Sequence, residues 1–135
     1  MIKDAVSPLE PRYEDLAGDG FGRKARRHFL ATRPKFLTAS VLPVLVGTAW
    51  GATLAGGLQA GVALLALLAT ALVHCASNVI NDVGDDITGT DRDNVEYIHP
   101  YTGGSRFITN GIMTVQEMHR WGWILIGMAS VLGLV

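Results

Sequence analysis

The sequence predicts an all-α, transmembrane helical chain: an antiparallel helix hairpin plus the start of a third membrane helix, together a fragment of a larger multi-helix bundle. Three observations lead there. From Phe36 to Asn81 there is no Asp, Glu, Lys or Arg. That stretch is roughly twice the ~20 residues that cross a ~30 Å hydrocarbon core. Its flanks are segregated by charge, with Arg23, Lys24, Arg26, Arg27, Arg33 and Lys35 before it and Asp82, Asp85, Asp86, Asp91, Asp93 and Glu96 after it.

Average composition does not decide the class. The 135 residues are 49% hydrophobic with a formal net charge of -1, values a soluble domain also reaches. The basic run has the density of a nucleic-acid patch, but a membrane helix directly downstream makes it a positive-inside flank, so no nucleic-acid partner is expected. Cys75 is the single cysteine, which excludes an intrachain disulfide. Residues 1–22 are polar, mixed in charge and broken by Pro8, Pro11, Gly18 and Gly20. They read as a flexible cytoplasmic leader and not as a cleavable signal peptide.

The elements follow in order. Residues 22–32 form a short amphipathic helix on the membrane surface, with Phe29 and Leu30 toward lipid and the arginines at headgroups. Arg33-Pro34 breaks it and opens the next element, since proline is tolerated in a first helical turn. Membrane helix one spans about 35–55, kinked at Pro43, with Gly47 and Gly51 permitting close helix contact. Gly56-Gly57 is the turn, and helix two spans about 58–82. So short a connection requires an antiparallel hairpin.

The basic flank places the start of helix one in the cytoplasm. Two crossings return the chain there, so the acidic cluster is cytoplasmic too, and Arg92, Arg106 and Arg120 agree. Residues 82–116 form a polar cytoplasmic loop with turn signals at Gly103-Gly104-Ser105-Arg106 and Asn110-Gly111. Thr114 and Glu117 fit a capping box that opens a third helix, about 118–135, with Trp121 and Trp123 at the interface. From Trp121 to Val135 that helix rises only about 22 Å. The expectation is an N-terminal piece of a longer membrane protein, or a truncated reading frame.

The chemistry gathers at the end of helix two. If that helix continues, Asn78, Asn81, Asp82 and Asp85 recur three and four residues apart and share a face. Gly89 then ends the helix, and Asp91 folds back toward the same site. Magnesium takes oxygen ligands and bridges one or two carboxylates to substrate phosphates. The spacing suits Mg²⁺-diphosphate binding. The plain alternative is a solvated acidic loop capping a helix end. Against it, the acids lie at the helix C-terminus, the unfavourable end of the dipole. Two asparagines also stand in an apolar segment, where polar groups cost energy. An EF-hand is excluded, because the glycine at its sixth position and the glutamate at its twelfth are missing.

These residues resemble the N-terminal part of the UbiA superfamily of intramembrane prenyltransferases. Arg33-Pro34 at the start of helix one is similar to the family's opening motif. Asn81-Asp82-Val-Gly-Asp85 followed by Gly89-Thr-Asp91 resembles the first aspartate-rich motif, in the longer spacing of the 1,4-dihydroxy-2-naphthoate branch that serves menaquinone biosynthesis. Thr102-Gly-Gly-Ser-Arg106, 108–111 and Thr114-Val-Gln-Glu117 resemble the loop that follows it there. The resemblance covers about 33–135.

It implies Mg²⁺-dependent transfer of a polyprenyl group from polyprenyl diphosphate to an aromatic acceptor, in the plasma membrane of a bacterium-like cell. It implies Asn81, Asp82, Asp85 and Asp91 as catalytic residues, Asp82, Asp85 and Asp91 among them as metal ligands, and Arg106 and Asn78 as diphosphate-binding residues. Other acceptors (4-hydroxybenzoate, haem or a chlorin) and a small non-catalytic membrane protein are the alternatives. The sequence departs from the family at Gly89, where the common spacing has an acid, and it lacks the second aspartate-rich motif. The chain by itself is therefore expected to be inactive. His74 fits either a packed helix histidine or the same cavity. Tyr97, His99 and Tyr101 fit loop anchors or contacts to the acceptor, and Trp50 is lipid-facing or interfacial.

Overall fold

The computed structural model describes residues 9–134, and they are all-α, without a strand. The helices are α1 (Tyr13–Leu16), α2 (Phe21–Ala31), α3 (Thr38–Ala55), α4 (Ala60–Thr88), α5 (Thr90–Asp93) and α6 (Val115–Gly133), with a single 3-10 turn at Pro34–Phe36 before α3. Among the described residues, α3 and α4 are long and apolar enough to cross a membrane.

The hairpin closes as its glycines require. Gly56 ends α3 at φ +73, a left-handed conformation that costs glycine least, and Gly57 N–H donates to Ala52 O at 3.0 Å. No residue of α3 is buried. Leu42, Val46, Trp50 and Leu54 recur every fourth residue as an exposed apolar stripe, a surface suited to hydrocarbon.

The core sits between α4 and α6. Ala76, Val79 and Val83 of α4 meet Met118 and Leu125 of α6, all buried, and Ala129 of α6 is buried as well. Gly122 permits the approach, because a Cβ there would stand 2.5 Å from Ile80 Cδ1. Phe107, Ile112 and Met113 extend the core under the loop before α6. That helix begins with Thr114 Oγ1 accepting from Glu117 N–H at 3.1 Å, the first half of a capping box. The Glu117 side chain turns away to Arg27, with Nη2 to Oε1 at 2.7 Å.

The end of helix two differs from the sequence expectation. Helix two does not stop at 82 but runs to Thr88, so the loop opens at Gly89 and contains α5. The reason is local. Asn81 Nδ2 donates to Asp85 Oδ2 at 2.7 Å, Thr88 Oγ1 donates to Gly84 O at 3.0 Å, and Gly89 at φ +81 supplies the stop.

The surface helix is also less lipid-facing than expected. Phe29 is 61% exposed, but Leu30 packs on the core and Arg27 is buried against Glu117, because a buried cation needs a counter-ion. Trp121 Nε1 donates to His28 O at 3.1 Å and its ring meets His28 edge-on, fastening α2 to α6.

Within the leader expected to be flexible over 1–22, Glu10 and Leu16 are buried, while Leu9, Tyr13 and Phe21 are exposed. Residues 1–8 lie outside the described residues.

Candidate functional site

The end of α4 and the loop before α6 form the site. Gly103 and Gly104 take φ +79 and +71, a left-handed pair that turns the chain back toward α4. Ser105 N–H then donates to both carboxylate oxygens of Asp82, at 3.2 and 3.1 Å. A Cβ on Gly104 would lie 2.8 Å from Asp91 Oδ2 and 2.9 Å from Asp82 Oδ1. The absent side chain is what lets two carboxylates from separate elements converge. Asp82 is 3% exposed and Asp91 is buried as well. Burial, and next the charge of Asp85, push the Asp91 carboxyl above its ordinary range against the pull of Arg106 and Arg33.

Beside Gly104 and Ser105 opens a cavity of about 570 Å³. Arg26, Arg33 and Lys35 give it a cationic wall, and Leu30, Phe36 and Phe107 line it with apolar surface. Arg33 stands at φ 55 with its guanidinium 4.9 Å from the centre of the Phe36 ring. His99 borders the same space with Nδ1 unpartnered among the described residues, and burial holds its pKa below the usual histidine value. A carboxylate pair thus stands next to a cavity with cations and apolar surface in its wall.

No family model and no solved structure matches the chain. Curated proteins do. The 1,4-dihydroxy-2-naphthoate octaprenyltransferase of Escherichia coli (strain K12) is 36% identical over 102 residues, 76% of this chain and 31% of that protein. The one of Haemophilus influenzae (strain ATCC 51907 / DSM 11121 / KW20 / Rd) is 34% identical over 110 residues, 81% of this chain and 33% of its own length. A UbiA prenyltransferase domain-containing protein 1 homolog of Drosophila melanogaster is 32% identical over 104 residues, 76% of this chain and 27% of its own. This is a UbiA-superfamily sequence. It fits the dihydroxynaphthoate branch and spans about a third of the length of the curated relatives it matches.

In this UbiA-like chain the motif residues divide. Asp82 and Asp91 come together at Gly104, and Asp85 acts on Asp91 through its charge. Asn81 is exposed and orients Asp85. Asn78 is not at this point: its Nδ2 donates to Thr32 O at 3.0 Å and lies 3.1 Å from His74 Nε2. Arg106 is turned inward, with Nη1 donating to Asp91 O at 2.7 Å and its guanidinium 4.1 Å from the centre of the Tyr97 ring. Both expected phosphate donors are thus engaged within the fold.

Among the described residues no three His, Cys, Asp or Glu side chains are grouped to hold a metal ion by themselves. Asp82, Asp85 and Asp91 therefore do not form a closed cage. Magnesium commonly binds through one or two carboxylates and takes its remaining oxygens from water and phosphate. The Asp82–Asp91 pair could supply one or two oxygen ligands of this kind.

Sequence reasoning missed several participants. Arg26 and Lys35 were read as a topological flank and not as cavity wall. Asp86, counted only as part of an acidic cluster, is buried and accepts from Arg92 Nη2 at 2.9 Å, tying α5 to α4. Glu10 carried no local signal.

Proposed function

We propose that this chain is the part of an intramembrane prenyltransferase that holds the diphosphate end of a polyprenyl diphosphate, with 1,4-dihydroxy-2-naphthoate as the aromatic acceptor. The observation that carries the reading is the convergence of Asp82 and Asp91 on Gly104 beside a cation-walled cavity. The names of the curated relatives support the acceptor and the donor class.

The reaction breaks the allylic C–O bond, the electron pair leaving with diphosphate. A ring carbon of the acceptor forms the new C–C bond and loses its proton. Bound magnesium supplies neutralisation of the diphosphate charge. Asp82, Asp91 and Asp85 are the residues that would hold it. Ser105 fixes Asp82 through its backbone N–H, and Asn81 fixes Asp85. Arg26, Arg33 and Lys35 on the cavity wall add positive charge where the leaving group becomes more anionic. The apolar wall excludes water, which would otherwise capture the allylic cation.

The membrane hairpin holds this site at the bilayer surface, with the leader and the acidic loop on the cytoplasmic side. By itself the 135-residue chain binds substrate without turning it over, since it carries one of the family's two aspartate-rich motifs.

Titration calorimetry of the chain in detergent with inorganic pyrophosphate tests the reading. Binding is expected to require Mg²⁺ and to weaken about 10-fold or more in Asp91→Asn and Asp85→Asn, the scale of lost metal-site groups. Binding that ignores both Mg²⁺ and these substitutions would overturn it. Prenyl transfer by the chain alone would overturn the inactivity.

A further inference from the structure

The leader contributes a carboxylate to the interior that the proposed chemistry does not use. Glu10 is 3% exposed at its side chain. Its Oε2 accepts from Tyr97 Oη at 2.8 Å, and its Oε1 accepts from Asn110 Nδ2 at 2.9 Å. Asn110 Nδ2 also donates to Pro11 O at 2.9 Å. Arg106 Nε stands 3.9 Å from Glu10 Oε1. A carboxylate is removed from water only where donors and counter-charge replace it, and here all three come from the loop between α5 and α6.

That loop carries the site. Arg106 takes φ 65, uncommon for a residue with a side chain, so something must hold it. Tyr97 lies under its guanidinium, Glu10 faces its Nε, and its Nη1 reaches the Asp91 carbonyl. The residue before it, Ser105, grips Asp82. The stretch around Glu10 also walls the cavity through Pro11, Arg12 and Leu16.

We infer that Glu10 is a positioning residue: it latches the leader onto the loop, holds Arg106 in place, and through it sets Asp91 against Asp82 and closes one side of the cavity. The catalytic meaning of the latch rests on the diphosphate reading above; its existence does not.

The test uses the whole chain in detergent micelles with Glu10→Gln, Arg106→Gln and the double variant. Amide hydrogen exchange at 103–107 and 91–94 is read beside Mg²⁺-dependent binding of inorganic pyrophosphate. Glu10→Gln is expected to speed exchange at those amides about 10-fold or more, leave the α4 and α6 core amides unchanged, and weaken pyrophosphate about 3-fold or more. In the Arg106→Gln background the same change is expected to add less than about 2-fold. Should a charge change unfold the chain, Tyr97→Phe removes one hydrogen bond from the same carboxylate and is expected to speed the same amides to a smaller degree. Unchanged exchange in Glu10→Gln, or full additivity with Arg106→Gln, overturns the latch. An unaltered chain that fails to bind pyrophosphate overturns the diphosphate reading, while the exchange comparison still decides the latch.

Discussion

The guanidinium of Arg106 donates from Nη1 to the backbone carbonyl of Asp91 at 2.7 Å. An arginine near an aspartate invites the idea of a carboxylate pair, yet here it grips the peptide behind the acid and leaves the carboxylate facing Gly104. Arg106 thereby decides where Asp91 points.

Arg106→Lys should destabilise the chain by about 1–3 kcal/mol, because an ammonium has neither the planar face for Tyr97 nor the fork that reaches the carbonyl. Thermal unfolding in detergent is the measurement. A melting temperature equal to that of the unaltered chain would contradict the packing described for this loop.

Gly104→Ala places a methyl 2.8 Å from Asp91 Oδ2 and 2.9 Å from Asp82 Oδ1, on a backbone at φ +71. The strain of the left-handed conformation alone costs about 1–3 kcal/mol. The two carboxylates must also part. Mg²⁺-dependent pyrophosphate binding should be lost while the helical circular dichroism of the hairpin persists.

The hairpin carries a polar chain between its helices. Asn78 Nδ2 lies 3.1 Å from His74 Nε2, and His74 Nδ1 lies 2.8 Å from Ser40 Oγ. Interhelical hydrogen bonds in membranes average about 0.6 kcal/mol, so Ser40→Ala should cost about that much. Asn78→Leu should cost more, about 1–3 kcal/mol, because it also strips the Thr32 carbonyl of its donor. Denaturation of each variant by sodium dodecyl sulfate ranks the two.

The Arg27–Glu117 pair gives a pH dependence with a defined sign. Burial works against ionisation of Glu117, but the Arg27 hydrogen bond and charge outweigh it and hold the carboxyl below its ordinary value of 4.5. A depressed folded pKa contributes stability that is present above 4.5 and is lost as the pH falls through the folded value. Melting temperature should fall on acidification through that window. Arg27→Leu should flatten this component of the profile.

Much of the architecture was legible in the order of residues. Gly56 and Gly89, read as a turn and a helix stop, occupy left-handed positions at the ends of α3 and α4. Thr114 caps α6 as the spacing to Glu117 indicated. These features depend on neighbours within a few residues, which a single sequence displays. The site was legible in part. The helical face that carries the carboxylates follows from spacing, but Asn78 shares that periodicity and still turns to Thr32, because its partner comes from another segment. Arg106 was expected to bind diphosphate, and its Tyr97 and Glu10 contacts put it inside the protein.

By itself the sequence determined that the chain is all-α, that it carries a membrane hairpin, and that its carboxylates gather at one end of it. The cost of burying charge in hydrocarbon makes an uncharged stretch from Phe36 to Asn81 decisive wherever the rest of the chain goes. Only the tertiary structure decided which carboxylates face each other, which cations line the cavity and which carboxylate serves as a strut. Glu10 meets Tyr97, Arg106 and Asn110 across most of the chain's length, and Arg27 meets Glu117 in the same way. Pairings at that separation leave no periodic trace in a sequence, because they are set by how helices pack and not by the local backbone.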